Sequence, residues 1–194
     1  VNSGIWVMKL INALGMARQM AKDHIEQGDT VIDATAGRGR DTLLLSNLVG
    51  KTGRVFSFDI QEEAIASSKE LFDKNKLFNN VTFILDNHEM MLKHIEEKVS
   101  FVMFNLGYLP GGDHSIGTEK ESTINAISAS LGLLGKNGFI VIVVYHGGDT
   151  GYEERDAVIR FAETLNQHEY IVRMSRFINQ RGDPPILICI QKTC

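Results

Sequence analysis

Cysteine is scarce. There are two in 194 residues, Cys189 inside an apolar run and Cys194 as the last residue, so neither a disulfide framework nor a metal site such as zinc is expected. No apolar run approaches the ~20 residues of a membrane span, and no signal peptide is visible. Positive charge is not in excess either. Twenty Lys and Arg stand against 24 Asp and Glu, a net charge of −4 that gives no general attraction to nucleic acid. Any RNA contact must therefore come from a local basic patch. With three prolines, no linker rich in Pro, Gly or Ser, no repeat and no low-complexity tract, nothing divides the chain. These absences predict one cytoplasmic domain over 1–194 without membrane contact, and 43% apolar residues suffice for a substantial core. The stretch VNSGIWV before Met8 is assigned no role.

Periodicity organises what remains. A first helix fits 8–26, where Leu10, Ile11, Leu14, Ala17, Ala21 and Ile25 recur at helical spacing. TVIDAT (30–35), RVFSFDI (54–60), VTFIL (81–85), FVMFN (101–105) and FIVIVVY (139–145) read as buried strands. Helical segments fall between them: DTLLLSNLV, EEAIASSKELFDKNK, a short one near 88–97, and one in 119–134. A helix in 153–165 leads to two late β runs, YIVRMSRFI and PILICIQ, separated by the turn-rich NQRGDPP. Strands alternating with helices imply parallel βαβ units with right-handed crossovers. The expected fold is α/β, a seven-stranded, mostly parallel sheet whose last strand is antiparallel.

In open α/β sheets ligands bind beyond the carboxyl ends of the strands. The first strand ends in DATAGRGRDT: Asp33, then Gly37-Arg38-Gly39-Arg40, then a helix opening near Asp41. Glycines let backbone pass close to a ligand, and a helix N-terminus offers free N–H groups. Asp59 ends the second strand, followed by Gln61, and suits the two hydroxyls of a ribose. Asp86, Asn87 and His88 end the third and are available to an adenine edge. A dinucleotide fingerprint needs a third glycine where Thr42 stands, so NAD is the weaker fit. Asp33, four residues before the first glycine, suits a cofactor with an ammonium group. The pattern resembles the S-adenosylmethionine-dependent methyltransferases of the Rossmann-like class I, with a non-catalytic domain left as an alternative.

The fourth strand ends in NLGYLPGGDH. Asn105 to Tyr108 looks like the (Asn/Asp)-Pro-Pro-(Tyr/Phe) motif of methyltransferases acting on amino nitrogens, with both prolines replaced. Methyl transfer is an in-line displacement, so the nitrogen lone pair must point at the sulfonium methyl. An amide oxygen and a neighbouring carbonyl can accept the two N–H bonds of an amine and fix that direction. Tyr108 supplies a face for stacking a base. Asp113 and His114 could take a proton from an ammonium substrate. Against this stand plainer readings: Asn105 caps a turn, Tyr108 packs in the core, and Asp113 with His114 form a structural pair. YHGGDTG ends the fifth strand, which brings His146 and Asp149 to the same cleft or to a tight turn.

Together VIDATAGRGRDT, FDIQ, MFNLGYLPGGDH, YHGGDTG and INQRGDPPILICI closely resemble one bacterial family, the YtqB-like rRNA methylases. Its members are understood as MnmM, the transfer RNA 5-aminomethyl-2-thiouridine methyltransferases of the wobble position. The resemblance spans 8–192. It implies conversion of an aminomethyl group on wobble uridine to methylaminomethyl, with S-adenosyl-L-methionine as cofactor and the tRNA anticodon loop as partner. A homodimer is left open. Arg38 and Arg40 depart from the family's small polar residues in the glycine loop. Arg173, Arg176 and Arg181, beside Tyr170 and Phe177, offer a phosphate and stacking surface, or simply the solvated face of a late strand. A methyltransferase of rRNA, protein or small-molecule amines, and a silent RNA-binding domain, are the alternatives.

Overall fold

The computed structural model describes residues 11–75, 79–107, 117–145 and 151–194. Seven strands form one sheet in the order β3-β2-β1-β4-β5-β7-β6. They are β1 (Thr30–Asp33), β2 (Arg54–Asp59), β3 (Val81–Leu85), β4 (Val99–Leu106), β5 (Leu134–Val144), β6 (Tyr170–Ser175) and β7 (Ile186–Lys192). The first five are mutually parallel, and β7 runs antiparallel to both β5 and β6. This is the seven-stranded, mostly parallel α/β sheet with an antiparallel last strand that the alternation of elements implies.

Helices cover both faces, which is why the central strands are apolar throughout rather than alternating. On β4, Phe101 and Met103 join α1 (Ala13–His24) and α2 (Arg40–Val49) in one core. Val102, Phe104 and Leu106 face the other core, with α4 (Met91–His94), α5 (Lys120–Leu133) and α6 (Gly151–Glu163). Helix α3 (Glu62–Asn75) packs on β2 and β3 beside α2. No helix among the described residues is long and apolar enough to cross a membrane.

Several boundaries move from the periodic reading, each for a local reason. Asn12 caps α1 by accepting the Gly15 N–H (2.8 Å), so the helix starts after Ile11, which is 43% exposed. The short helical segment near 88–97 is a 3-10 turn, His88–Met90, running into the single turn of α4. Strand β5 begins at Leu134 because Leu134 pairs with Val99 before a register shift; pairing resumes at Phe139, past Asn137 at φ 62°.

Candidate functional site

Strand order reverses at β1: the chain winds outward through β2 and β3, then returns to β4 on the other side. The crevice beyond the carboxyl ends of β1 and β4 is therefore the place for a ligand. Asp33 closes β1 and is 1% exposed. Its Oδ2 accepts from Thr42 Oγ1 (2.6 Å) and its Oδ1 from the Thr35 N–H (3.1 Å). Burial, aided by the charge of Asp41, raises its pKa from 3.8 to about 7. Such a carboxyl gains most from a cation brought beside it.

The glycine loop sits between β1 and α2. Gly37 and Gly39 have φ of 52° and 75°, and a Cβ on Gly39 would stand 2.9 Å from Ser68 Cα of α3. Only glycine lets the loop pass under α3 there. Asp59, at the tip of β2, accepts the Gly37 N–H (2.9 Å) on Oδ2 and the Gln61 N–H (3.0 Å) on Oδ1. Each oxygen keeps a second lone pair for a hydroxyl donor. Asp41 lies buried in the first turn of α2 and accepts from Arg18 Nε of α1 (2.7 Å). Arg38 is half-buried and Arg40 exposed.

At the third strand tip, Asn87 Oδ1 caps the 3-10 turn by accepting the Glu89 N–H (3.1 Å). His88 is buried, with Nδ1 3.1 Å from the Ala34 carbonyl and Nε2 without a partner among the described residues. Burial holds its pKa below 6.5. With the carbonyl as partner, Nδ1 carries the proton and Nε2 is an acceptor.

Asn105 stands at the end of β4 beside Asp33's strand. Its N–H donates to Thr35 Oγ1 (2.8 Å), while its side-chain oxygen is buried and accepts nothing among the described residues. It caps no turn. Two residues on, Gly107 (φ 146°) donates its N–H to Thr118 Oγ1 (3.0 Å), and its carbonyl accepts the Thr118 N–H (3.1 Å). Thr118 Oγ1 in turn donates to Glu154 Oε2 (2.9 Å), and Thr123 Oγ1 donates to Glu154 Oε1 (2.7 Å). Glu154 of α6 is 4% exposed, and burial raises its pKa. Gly107 and Thr118 are thus tied to each other by two bonds, and Glu154 holds the Thr118 and Thr123 hydroxyls. Tyr108, Asp113 and His114 within that stretch, like His146 and Asp149, lie outside the described residues.

The structure brings Asp33, Gly37, Gly39, Asp41, Asp59, Gln61, Asn87, His88 and Asn105 to one edge of the sheet. It adds residues that periodic reading passed over: Arg18, Thr35, Thr118, Tyr145 and Glu154. Tyr145, at the tip of β5, is exposed beside Gly107, its Cβ 3.6 Å from where a Gly107 side chain would begin. Glu154 did carry a signal, since it occupies a buried stripe with Val158 and Ala162 at four-residue steps. Arg18 carried none.

A family model described as "Putative rRNA methylase" matches residues 55–191, from β2 to β7. The chain belongs to this family. A protein of Clostridium thermocellum described in the same terms superposes with a TM-score of 0.94 at 48% identity, over 95% of this chain and all of that one. A "putative methyltransferase" of Streptococcus mutans, solved in complex with SAH, gives a TM-score of 0.87 at 33% identity, over 95% and 99%. The tRNA (mnm(5)s(2)U34)-methyltransferase of Arabidopsis thaliana chloroplasts is 38% identical over 184 residues, 87% of this chain. The chain spans 65% of that relative's length. The β1 strand and glycine loop, which precede the residues matched by the family model, lie within the extent of the C. thermocellum superposition.

Proposed function

We propose that this chain is an S-adenosylmethionine-dependent tRNA methyltransferase. It N-methylates the aminomethyl group of wobble 5-aminomethyl-2-thiouridine to methylaminomethyl. The observation that carries this reading is the Asn105 side-chain oxygen, a buried acceptor with no donor among the described residues. Such atoms are rare in folded chains, and a substrate N–H is a fitting donor. Support comes from the family and from relatives whose names specify tRNA methylation and SAH binding.

The residues fit the cofactor chemically. Asp33 and Asp41 meet an ammonium, Asp59 and Gln61 the ribose, Gly37 to Arg40 present backbone to the methionine portion, and Asn87 with His88 border the adenine. When bound, S-adenosylmethionine supplies an electrophilic methyl on a sulfonium. Asn105 accepts one N–H of the amine and so aims the nitrogen lone pair. Tyr108 offers a stacking face to the base, and Asp113 or His114 takes the proton lost from nitrogen. The anticodon loop is the partner and the cytoplasm the compartment.

The test is nucleoside mass spectrometry of tRNA from a deletion strain, followed by repair of that tRNA with purified enzyme. Accumulated 5-aminomethyl-2-thiouridine, converted on addition of enzyme and cofactor, is expected. An unchanged nucleoside profile overturns the reading.

A further inference from the structure

The turn between β6 and β7 takes no part in the site described above, yet it shares its edge of the sheet. Register shows this. Asn105 pairs with Val143, Val143 with Leu187, and Leu187 with Ser175 at the end of β6. Three strand spacings of ~4.8 Å put Ser175 about 14 Å from Asn105. Tyr170 and Arg173 belong elsewhere: Tyr170 pairs with Lys192 at the opposite edge, and Arg173 lies mid-strand. Arg176 and Arg181, by contrast, are in the turn itself. Both are exposed, and neither forms an ion pair among the described residues. Ile178 between them is 88% exposed, an apolar side chain the fold does not use.

The turn is also held in place. Tyr152, in the first turn of α6, donates its hydroxyl to Asp183 Oδ2 (2.5 Å), and Arg155 stacks 5.0 Å from the Tyr152 ring centre. Asp183 sits at φ 46° after Gly182 at φ 80°. A non-glycine residue in the left-handed region persists where its surroundings hold it, and the Tyr152 hydroxyl does so here. A pinned turn presents its arginines with less ordering left to lose on binding.

We propose that this turn receives the phosphate backbone of the substrate RNA, with Arg176 and Arg181 as phosphate contacts and Ile178 against an unstacked base. The proposal rests on the tRNA reading above. Charge complementarity selects the occupant: on a chain of net charge −4, two guanidinium groups without an ion pair among the described residues stand beside the edge where the target nucleotide enters.

The experiment measures binding of undermethylated tRNA to the full chain by fluorescence anisotropy across a salt series. It compares wild type with Arg176→Ala, Arg181→Ala, Tyr152→Phe and the control Lys136→Ala. Lys136 is exposed on the opposite edge, beside His24 and Asp29. Each arginine variant should bind about 10-fold more weakly at low salt, with a salt slope smaller by about 1. Tyr152→Phe should fall between, and Lys136→Ala should stay within about twofold. SAH affinity, by calorimetry, should be the same in all five. Arginine variants indistinguishable from Lys136→Ala overturn the surface while leaving the tRNA reading intact. So does a changed oligomeric state with unchanged RNA affinity, which assigns the turn to self-association. A wild type that binds no tRNA sinks the tRNA reading, and the surface with it.

Discussion

A buried amide oxygen without a donor costs ~1–3 kcal/mol, and among the described residues nothing donates to the Asn105 side-chain oxygen where β4 meets the cleft. An orienting acceptor acts mainly in the transition state, so Asn105→Ala should lower the single-turnover methylation rate by ~10²–10³ and leave SAH affinity nearly unchanged. A near-normal rate would make Asn105 structural. Asp59 is the opposite case. It anchors the glycine loop through Gly37, and on the proposed reading it also meets the ribose, so Asp59→Ala should remove two supports at once. Calorimetry should show SAH binding weakened at least ~10-fold, which at 1.4 kcal/mol per decade is the loss of one charge-assisted bond. Unchanged affinity would separate Asp59 from the cofactor. The placement of Asp33, Asp59 and Asn105 at one edge of the sheet was legible because Asp33 and Asp59 end their strands and Asn105 is one residue from the end of β4, and strand ends follow from the apolar runs. Thr35 was not. Its hydroxyl holds the Asn105 N–H across two strands that are 70 residues apart in the chain, and no local spacing announces such a bond.

Among the elements, α6 is linked to the tip of β4 through Thr118. Gly107 N–H, Thr118 hydroxyl and Glu154 carboxylate form a chain of three groups in which the central hydroxyl both accepts and donates. Thr118→Val keeps the shape and removes both bonds, whereas Thr118→Ser keeps them. The Val variant should lower single-turnover methylation about 10-fold without changing SAH affinity, and should speed hydrogen exchange at the Gly107 amide. The Ser variant should restore both. Equal rates in Val and wild type would mean that the clamp serves only the fold. The central strands were legible because burial on both faces makes them continuous apolar runs, although β5 starts at Leu134, five residues before the apolar run at 139, and the exposed β6 ends at Ser175, three residues before its run does. Helix ends shifted by several residues, since a cap such as Asn12 overrides periodicity. The reach of α6 back to the β4 tip was hidden, though an acid in the stripe Glu154, Val158, Ala162 marked the helix as unusual.

At the scale of the whole molecule, two buried acids bear on how stability responds to pH. Asp33 has its pKa raised from 3.8 to about 7, and burial raises that of Glu154 in the same direction. A folded chain whose acid has a raised pKa binds the proton more tightly than the unfolded chain. Stability from Asp33 is therefore greatest on the acid side and is lost as pH rises from about 4 through about 7. The full shift corresponds to roughly 4 kcal/mol, and a quarter of that moves Tm by ~2–4 °C in a chain of this size. Asp33→Asn removes the ionisation and can keep the contacts: its oxygen accepts the Thr35 N–H, and its NH₂ donates to Thr42 Oγ1, which turns to Ser57 Oγ 3.0 Å away. The variant should melt higher than wild type at pH 8 and about equally at pH 5. On the proposed reading, in which Asp33 meets the ammonium of the cofactor, cofactor binding should run the other way, because an ammonium favours the ionised carboxylate. SAH should bind wild type about tenfold more weakly at pH 6 than at pH 8, the fall in carboxylate fraction for a group titrating near 7. In Asp33→Asn that slope should vanish and the affinity at pH 8 should drop. A wild-type affinity flat across this range would mean that Asp33 does not meet the amino group, and that its burial serves only the Thr42 and Ser57 contacts beneath the loop.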